Sequence, residues 1–306
     1  MNEIYISVII TAYNRREFLL DAITSVVNQT LGREKYEIIL IKNFKDEDID
    51  RIVNENGIGS VNLEGTIGEY LKAGLEQAKG EVISFMEDDD IFCKDKLEVV
   101  YDLFKSNEKL VYFHNISQFI NENKNPISRF GRGLDFNLSS ISIRKNILNP
   151  GHLNKNLFSL QDSFMLYSAY ENGGLVVSGD RVLSYYRLHN SASNILEDGD
   201  TRAKFKLKLS QNFISQLEVL YKKFKSSKAR KHILNYMTSL KINVNIFTKL
   251  HDSNIKYKIE SGEVFHYLLI FNYWGKRRNY PLKFLKLMEM HLPEHILKKI
   301  LFKDIL

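Results

Sequence analysis

The sequence predicts an α/β fold, with a mostly parallel sheet covered by helices on both faces, followed by a helical C-terminal region. Three β-branched runs, at 4–10, 36–41 and 82–86, are too apolar to be half-exposed and therefore predict buried strands. Between them, residues 17–30 and 66–78 place apolar side chains at helical spacing. Strands and helices that alternate with short links are typical of a parallel sheet.

Beyond residue 110 the pattern is less regular. Residues 137–144 predict a further strand, and 176–180 predicts a short one that ends in a turn. A separate segment, 182–193, follows it. Residues 129–133 contain two glycines and predict a flexible loop, which either lies over a binding site or merely connects two elements.

Composition and size indicate a globular protein of two units. The chain has 306 residues, of which 44% are hydrophobic and 26% charged, values typical of soluble domains. Cys93 is the only cysteine, which excludes an internal disulfide and favours a reducing compartment. No uninterrupted apolar run reaches the ~18–20 residues that span a bilayer, and the N-terminus lacks a signal-peptide pattern. We therefore expect a cytoplasmic protein.

The charges are divided unequally along the chain. Residues 1–200 hold 21 basic and 30 acidic side chains, a net charge of −9, whereas residues 201–306 hold 22 and 7, a net charge of +15. This asymmetry predicts two domains, 1–200 and 201–306, and indicates that the second faces something anionic. Nucleic acid and anionic lipid headgroups both satisfy this description.

An acidic run follows the third predicted strand. The strand at 82–86 leads directly into Glu87, Asp88, Asp89 and Asp90. Four adjacent like charges repel one another, and a bound Mg²⁺ or Mn²⁺ would offset that repulsion through carboxylate oxygens. Ligands also bind at the carboxyl ends of strands in open α/β sheets. Alternatively, the run is a solvated turn in which one Asp caps the next helix.

Four motifs in this order resemble one family. They are SVIITAYNR at 7–15, AITSVVNQT at 22–30, EIILI at 37–41 and AKGEVISFMEDDD at 78–90. Together they resemble the family 2 glycosyltransferases, and the resemblance covers about 1–200. It implies a GT-A (Rossmann-like) fold for this catalytic domain, a nucleotide-diphosphate-sugar donor, a divalent metal, either Mn²⁺ or Mg²⁺, and transfer with inversion.

The resemblance implies a nucleotide site at the end of the first strand. Tyr13 would stack on the base, Thr11 would hydrogen-bond it, and Arg15 belongs to the same nucleotide-sugar-binding set. On sequence alone, a Thr and a Tyr could instead simply end a strand.

The chain departs from the family pattern in two places near this site. Lys42 and Asn43 stand where the family usually has two acids that recognise the base. Asn43 retains an amide oxygen that accepts hydrogen bonds, while Lys42 would pair with phosphate or be solvated. Lys72 stands where the family has a polar residue near the diphosphate, and the alternative is an exposed lysine on a helix. The identity of the base therefore stays open.

The resemblance also implies a metal site in the acidic run. Asp89 would coordinate the ion, with Asp88 on the ribose or metal side and Asp90 as a further ligand. His189 lies in a Tyr-Arg-x-His segment similar to one that closes many family 2 domains, and it would contact the metal or the diphosphate. The alternative for a lone histidine is a surface or packed side chain.

Asp162 is the predicted general base. The family usually places a Glu-Asp pair here, and this chain has Gln161 and Asp162. An inverting transfer needs a carboxylate on the far side of the sugar from the leaving phosphate, where it takes the proton of the acceptor hydroxyl. The alternative is that Asp162 is the N-cap of a helix over 163–172. The two roles are compatible, because a capping Asp leaves one carboxylate oxygen free to act as the base.

The C-terminal region predicts lysine-rich helices. Residues 201–225 and 228–250 have helical spacing, and the region 263–306 begins with an aromatic segment and continues as two helices that each start at a proline. An apolar face flanked by lysines suits a membrane surface, so we expect 263–306 to contact the inner face of the membrane peripherally. A subdomain packed on the catalytic domain, or a homodimer face, would produce the same pattern.

We therefore expect an inverting glycosyltransferase that moves a sugar from a nucleotide-diphosphate sugar to a hydroxyl of a glycan or lipid-linked acceptor. The lost acids at Lys42 and Asn43 favour an alternative, a non-catalytic nucleotide- or carbohydrate-binding relative. The presence of Asp88, Asp89 and Asp162 argues against it. A nucleic-acid binder is a third interpretation, but no recognisable nucleic-acid module accompanies the basic region.

Overall fold

The structure is a computed structural model, and it describes residues 4–153, 155, 157, 159–189, 199–250, 256–264, 288, 290 and 291. The chain divides into two compact units, residues 1–194 and residues 195–306. Most of the region 263–306, for which the sequence predicts membrane contact, lies outside the described residues.

The first unit is built on a nine-stranded sheet among the residues described. Its strands are β1 (Ile6–Ala12), β2 (Tyr36–Lys42), β3 (Gly59–Asn62), β4 (Val82–Glu87), β5 (Ile91–Phe92), β6 (Leu110–Ile120), β7 (Pro126–Gly131), β8 (Ile141–Arg144) and β9 (Leu175–Arg187). Across the sheet the order is β3-β2-β1-β4-β8-β6-β9-β5, and β7 pairs with β6. β1 is parallel to β2 and β4, and β2 to β3. The predicted α/β fold is therefore confirmed.

Three parallel strands end together and so create a polar edge. All seven residues of β1 are buried, as its β-branched sequence requires for a strand covered on both faces. Ile9 lies opposite Ile39 of β2 and Phe85 of β4. Two residues later, Thr11 lies opposite Glu87, where β4 ends. The polar residues that follow these strands therefore meet at one edge of the sheet.

Helices cover this sheet, and a glycine lets one of them approach the central strand β1 closely. They are α1 (Leu19–Val27), α2 (Glu47–Glu55), α3 (Ile67–Gln77), α4 (Lys96–Ser106) and α5 (Gln161–Asn172). α3 begins at a capping box, in which Thr66 and Glu69 satisfy each other's backbone N–H groups. A side chain at Gly74 would meet Ile9 at 2.6 Å, so α3 packs directly on β1. This contact holds α3 against β1.

The structure corrects three predictions beyond residue 110. Residues 129–133 are not a simple loop, because Pro126–Gly131 pairs with β6 as a strand. Residues 176–180 and the first part of the next segment, 182–187, are joined in the single strand β9, which follows β6 through register shifts that absorb extra residues. Of the predicted strand 137–144, only Ile141–Arg144 is extended, since Asn137 has a positive φ of 62° and begins a short 3₁₀ turn.

The described part of the second unit contains two long helices, as the lysine-rich pattern predicts. They are α6 (Gly199–Lys223) and α7 (Ser227–Leu250). Each buries apolar side chains, among them Leu217 and Ile233, and leaves lysines on its outer face. Within the described part of the chain, no helix is long and apolar enough to cross a membrane.

Candidate active site

A cavity lies where β1 and β4 end and α3 begins. Its volume is about 390 Å³, and its wall is formed by Thr11, Tyr13, Arg15, Gly65, Thr66, Ile67, Tyr70, Glu87 and Asp88. The structure thus brings together four of the residues predicted to bind a nucleotide sugar. Tyr13 is 56% exposed at the mouth of the cavity, where its ring can stack on a planar ligand.

Arg15 links the two central carboxylates of the acidic run. Its Nη2 lies 2.7 Å from Asp88 Oδ1, and its Nη1 lies 2.8 Å from Asp89 Oδ2. The preceding residue, Asn14, has a positive φ of 54°, which turns the chain from the end of β1 toward these acids. Burial by itself lowers the pKa of Arg15, but Asp89 and Asp88 outweigh it and the net pKa is raised. The guanidinium therefore stays charged between the two acids.

His189, which lies 174 residues after Arg15 in the sequence, completes this group. Its Nε2 lies 2.7 Å from Arg15 Nη1 and 2.8 Å from Asp89 Oδ2. A guanidinium can only donate and a carboxylate can only accept, so Nε2 serves one of these two contacts at a time: it accepts from Arg15 or it donates to Asp89. An imidazole nitrogen and a carboxylate oxygen therefore converge on one cationic atom. Such a pair is a donor set that also suits a divalent metal ion.

Asp88 and Asp90 differ in what surrounds them. Asp88 lines the cavity, and burial raises its pKa to about 6 although Arg15 opposes that shift. Asp90 is 1% exposed, and its carboxylate accepts hydrogen bonds from Asn137 Nδ2 at 2.7 Å and from the backbone N–H of Arg187 at 3.1 Å. Burial, followed by the charge of Asp89, raises the pKa of Asp90 to about 7. Both of its oxygens thus hold the surrounding loops in place.

Arg187 is a positioning residue that the sequence did not single out. Its guanidinium is 2% exposed and donates to the backbone oxygens of Asp89, at 2.8 Å, and Glu122, at 2.7 Å, and to Asp21 Oδ2 at 2.9 Å. The side chain therefore holds the backbone of the acidic run in place at Asp89. The Tyr-Arg-x-His segment is the sequence signal that could have pointed to Arg187. That signal does not identify the partners of Arg187, which lie as far as 166 residues away in sequence.

The residues at the two departures from the family pattern lie outside the cavity wall. Asn43 Oδ1 accepts from the backbone N–H of Asn14, and its Nδ2 donates to Asn14 Oδ1, both at 2.8 Å. Lys42 is fully buried and donates to Phe44 O at 2.6 Å and to Asp50 Oδ1 at 2.9 Å. The prediction that Lys42 pairs with phosphate or is solvated was wrong. Lys72 is exposed, 3.8 Å from Glu76.

Asp162 lies in the first turn of α5 and is not its N-cap. The helix begins at Gln161, and the cap position is taken by Leu160, which has a positive φ of 64°. Within the part of the chain that the structure describes, the buried Oδ1 of Asp162 has no hydrogen-bond partner. Burial, and next the charge of Asp135, raises the pKa of Asp162 to about 8. A carboxyl group with such a pKa holds its proton near neutral pH and becomes a proton acceptor as the pH rises through about 8.

Asp135 is a second acid at this position that the sequence did not indicate. It lies in the loop between β7 and β8, and its Oδ2 accepts from Ser163 Oγ at 3.2 Å. Burial raises the pKa of Asp135 as well. Glu87 also faces Asp162, and burial followed by the charge of Asp162 raises the pKa of Glu87. Three carboxyl groups therefore share the region between the cavity and α5.

Metal binding at this edge would need ligands from outside the chain. Of the residues the structure describes, no three His, Cys, Asp or Glu side chains form a group that could hold an ion. An ion that bridges a diphosphate needs only one or two protein ligands, because phosphate and water oxygens supply the others. The pair of Asp89 and His189 satisfies that smaller requirement.

Sequence comparison places the chain among sugar-transferring proteins. Residues 7–170, more than half of the chain, match the family model "Glycosyl transferase family 2". An uncharacterized glycosyltransferase of Rickettsia conorii is 30% identical over 149 residues, which are 44% of this chain and 22% of that protein. A poly(ribitol-phosphate) beta-glucosyltransferase of Bacillus spizizenii is 31% identical over 112 residues, 34% of this chain and 18% of that protein. The chain spans about a fifth of the length of the first curated relatives it matches.

Solved structures share the fold at low sequence identity. Residues 1–349 of S. aureus TarS in complex with UDP-GlcNAc superpose with a TM-score of 0.57 and 14% identity, covering 97% of this chain and 91% of that one. The mannosyltransferase PcManGT of Pyrobaculum calidifontis, in complex with GDP-Man and Mn²⁺, gives a TM-score of 0.55 and 10% identity, covering 96% and 87%. These likenesses establish a GT-A fold.

Proposed function

The chain belongs to glycosyl transferase family 2, as its four motifs predict, and we propose that it transfers a sugar from a nucleotide-diphosphate sugar to an acceptor hydroxyl. The observation that carries this proposal is the cavity at the carboxyl ends of β1 and β4, where Tyr13, Thr11, Arg15 and Asp88 meet. Structures of the same fold bind UDP-GlcNAc and GDP-Man. That likeness supports a nucleotide-sugar donor.

Donor binding divides between an aromatic and a charged part of the cavity. The exposed ring of Tyr13 would stack on the base, and the hydroxyl of Thr11 would hydrogen-bond to it. Arg15 lies on the diphosphate side, where a guanidinium binds phosphate oxygens through two parallel hydrogen bonds. Asp88, at hydrogen-bond distance from Arg15, would accept from the ribose hydroxyls.

A divalent ion would be held at the acidic run, beside Arg15. Asp89 and His189 would hold it, since their acceptor atoms already converge there within 2.8 Å of a cation. When bound, Mn²⁺ or Mg²⁺ would neutralise the charge that develops on the leaving nucleoside diphosphate. Support comes from PcManGT, which binds Mn²⁺ together with GDP-Man.

Asp162 would act as the general base of an inverting transfer. The acceptor oxygen attacks the anomeric carbon as the bond to the nucleoside diphosphate breaks on the opposite face, and the hydroxyl proton passes to Asp162. The partnerless Oδ1 of Asp162 supports this role, since no group among the described residues competes for its lone pairs. Leu160 in its left-handed conformation holds the start of α5, and with it Asp162, in position.

The acceptor would be an anionic glycan polymer or a lipid-linked glycan. Two relatives are a minor teichoic acid biosynthesis protein of Bacillus subtilis and a poly(ribitol-phosphate) beta-glucosyltransferase. The net charge of +15 over residues 201–306 suits such an acceptor or an anionic membrane surface. We keep residues 1–200 as the catalytic domain and 201–306 as the acceptor- or membrane-facing region.

Release of nucleoside diphosphate from a panel of UDP-, GDP- and dTDP-sugars with Mn²⁺ tests this function. We expect one donor to be consumed and Asp162→Asn to reduce turnover by at least about a hundredfold, with nucleotide affinity unchanged. Unchanged turnover in the variant would overturn the role of Asp162. Tight nucleotide binding without turnover on any donor would instead favour the non-catalytic relative, which the residues at Lys42 and Asn43 suggest.

A further inference from the structure

Tyr70 carries a buried hydroxyl that nothing in the described chain satisfies. The residue lies in α3 and is 1% exposed, and its hydroxyl oxygen has no hydrogen-bond partner among the residues that the structure describes. Buried tyrosine hydroxyls usually find a partner, because leaving one unpaired costs much of its hydration free energy. An unpaired hydroxyl in a folded protein therefore calls for a functional explanation.

The position of Tyr70 indicates what that partner is. Its side chain forms part of the cavity wall together with Thr11 and Tyr13. The rings of Tyr70 and Tyr13 lie 6.1 Å apart between centroids and are tilted by 60°. The unpaired hydroxyl is therefore beside the ring on which the nucleotide base would stack. Burial, and then the charges of Glu64 and Tyr13, raises the pKa of Tyr70, so the hydroxyl can both donate and accept.

Other polar groups near the base position already have partners. The amide of Asn43, at the position where relatives use an acid, makes two hydrogen bonds with Asn14. Lys42 is directed into the protein by Phe44 and Asp50. Arg15 and Asp88 neutralise each other. Tyr70 thus adds, to the Thr11 hydroxyl, a second hydroxyl in the described cavity wall with unused hydrogen-bonding capacity.

We propose that Tyr70 recognises the nucleotide base, by hydrogen-bonding its polar edge while Tyr13 stacks on its face. This inference rests on the proposed function, because it concerns the donor site of the same enzyme. The hydroxyl is shielded from solvent, so its hydrogen bond to the base requires the cavity wall beside it to shift as the base enters. Tyr70 then replaces the missing acids as the specificity-determining residue for the base.

Tyr70→Phe tests the inference because it removes the hydroxyl alone. We would measure binding of UDP, GDP, dTDP and inorganic pyrophosphate by calorimetry, each with Mn²⁺, together with the melting temperature. The expected result is about tenfold weaker binding of the nucleotide that the wild type prefers, with pyrophosphate affinity unchanged. The melting temperature should not fall, because the wild-type protein gains no internal hydrogen bond from this hydroxyl.

Tyr36→Phe is the matched control. Tyr36 is also 1% exposed, but its hydroxyl donates to Val26 O at 2.9 Å. This variant should lose a few degrees of melting temperature and bind nucleotides as the wild type does. Equal nucleotide affinity in Tyr70→Phe and wild type, or an equal loss for pyrophosphate, would overturn the inference alone. A wild-type protein that binds none of the three nucleotides would overturn the proposed function.

Discussion

At the scale of single residues, the site is governed by the balance of charge around Arg15. Asp88, Asp89 and His189 all place acceptor atoms within 2.8 Å of its guanidinium. One cation therefore offsets two carboxylates, and it lies beside the position proposed for a metal ion. A diphosphate would attract the guanidinium away from the acids and leave Asp89 and His189 to the metal.

Replacing Arg15 by Met should therefore strengthen metal binding in the absence of nucleotide. We expect the affinity for Mn²⁺, measured by paramagnetic resonance of the free ion, to rise roughly tenfold. The affinity for nucleoside diphosphate should fall in the same variant. Arg16→Met is the control, because Arg16 pairs with Asp46 at 3.5 Å and touches neither Asp88 nor Asp89. Weaker Mn²⁺ binding by Arg15→Met would refute this reading of the site.

The acidity of Asp162 should appear in the pH dependence of turnover. Burial and the neighbouring Asp135 raise its pKa to about 8, so below that pH it holds a proton and cannot accept one. The rate of donor consumption should therefore rise as pH increases through about 8. Asp135→Asn removes a negative neighbour and should move the midpoint to lower pH.

Asp102→Asn is the control for this profile, since Asp102 is exposed on α4 and should leave the midpoint in place. Asp90 and Glu87 also face this group, so a residual upward shift should remain in Asp135→Asn. A profile that falls with rising pH, or a midpoint that Asp135→Asn leaves unmoved, would be incompatible with Asp162 as the base.

At the scale of elements, the strands that carry the site are the ones the sequence predicts best. β1, β2 and β4 are continuous apolar runs, and local spacing alone identifies such strands. The interruption of the strand at 137–144 and the continuity of β9 depend on Asn137 and on pairing with β6, which local spacing does not encode. The same holds for Asp135 and Arg187, whose partners lie tens of residues away in sequence.

A substitution at Gly80 tests how closely the chain before β4 must pack against β1. A side chain there would lie 2.6 Å from the backbone nitrogen of Ser7, and backbone cannot move aside as a flexible side chain does. Gly80→Ala should therefore cost about 1–3 kcal/mol of stability, seen as a lower melting temperature of the full chain. Gly59→Ala is the control, because its new methyl group would meet Ile38 O at an ordinary 3.7 Å. Equal melting temperatures for the two variants would show that the close contact is not required.

At the scale of the whole molecule, the chain combines an acidic and a basic half. The net charges of −9 over residues 1–200 and +15 over 201–306 would suit different partners for the two regions. The acidic half carries the buried carboxyl groups of the site, and in the proposed function the basic half would attract an anionic acceptor at long range. The sequence alone reveals this division, because the net charge of a region follows from its residue types and does not depend on how they contact one another.

Binding of a poly(ribitol phosphate) acceptor should accordingly weaken with salt. We expect the affinity to fall several-fold between low and physiological ionic strength, because counter-ions screen charges beyond ~8 Å. An uncharged polysaccharide serves as the control, and its affinity should not respond to salt. Tighter binding of DNA than of the polyol phosphate at every salt concentration would contradict this account and favour a nucleic-acid-binding role for residues 201–306.

The central claim is that a divalent ion and a nucleoside diphosphate bind together at the ends of β1 and β4. Calorimetric titration of UDP, GDP and dTDP, each with Mn²⁺ and with a chelator, tests it most directly. We predict that one nucleotide binds only when Mn²⁺ is present, and that Asp89→Asn abolishes this dependence together with most of the affinity. Equal binding in Mn²⁺ and in chelator, or no binding of any nucleotide by the folded chain, would contradict the account.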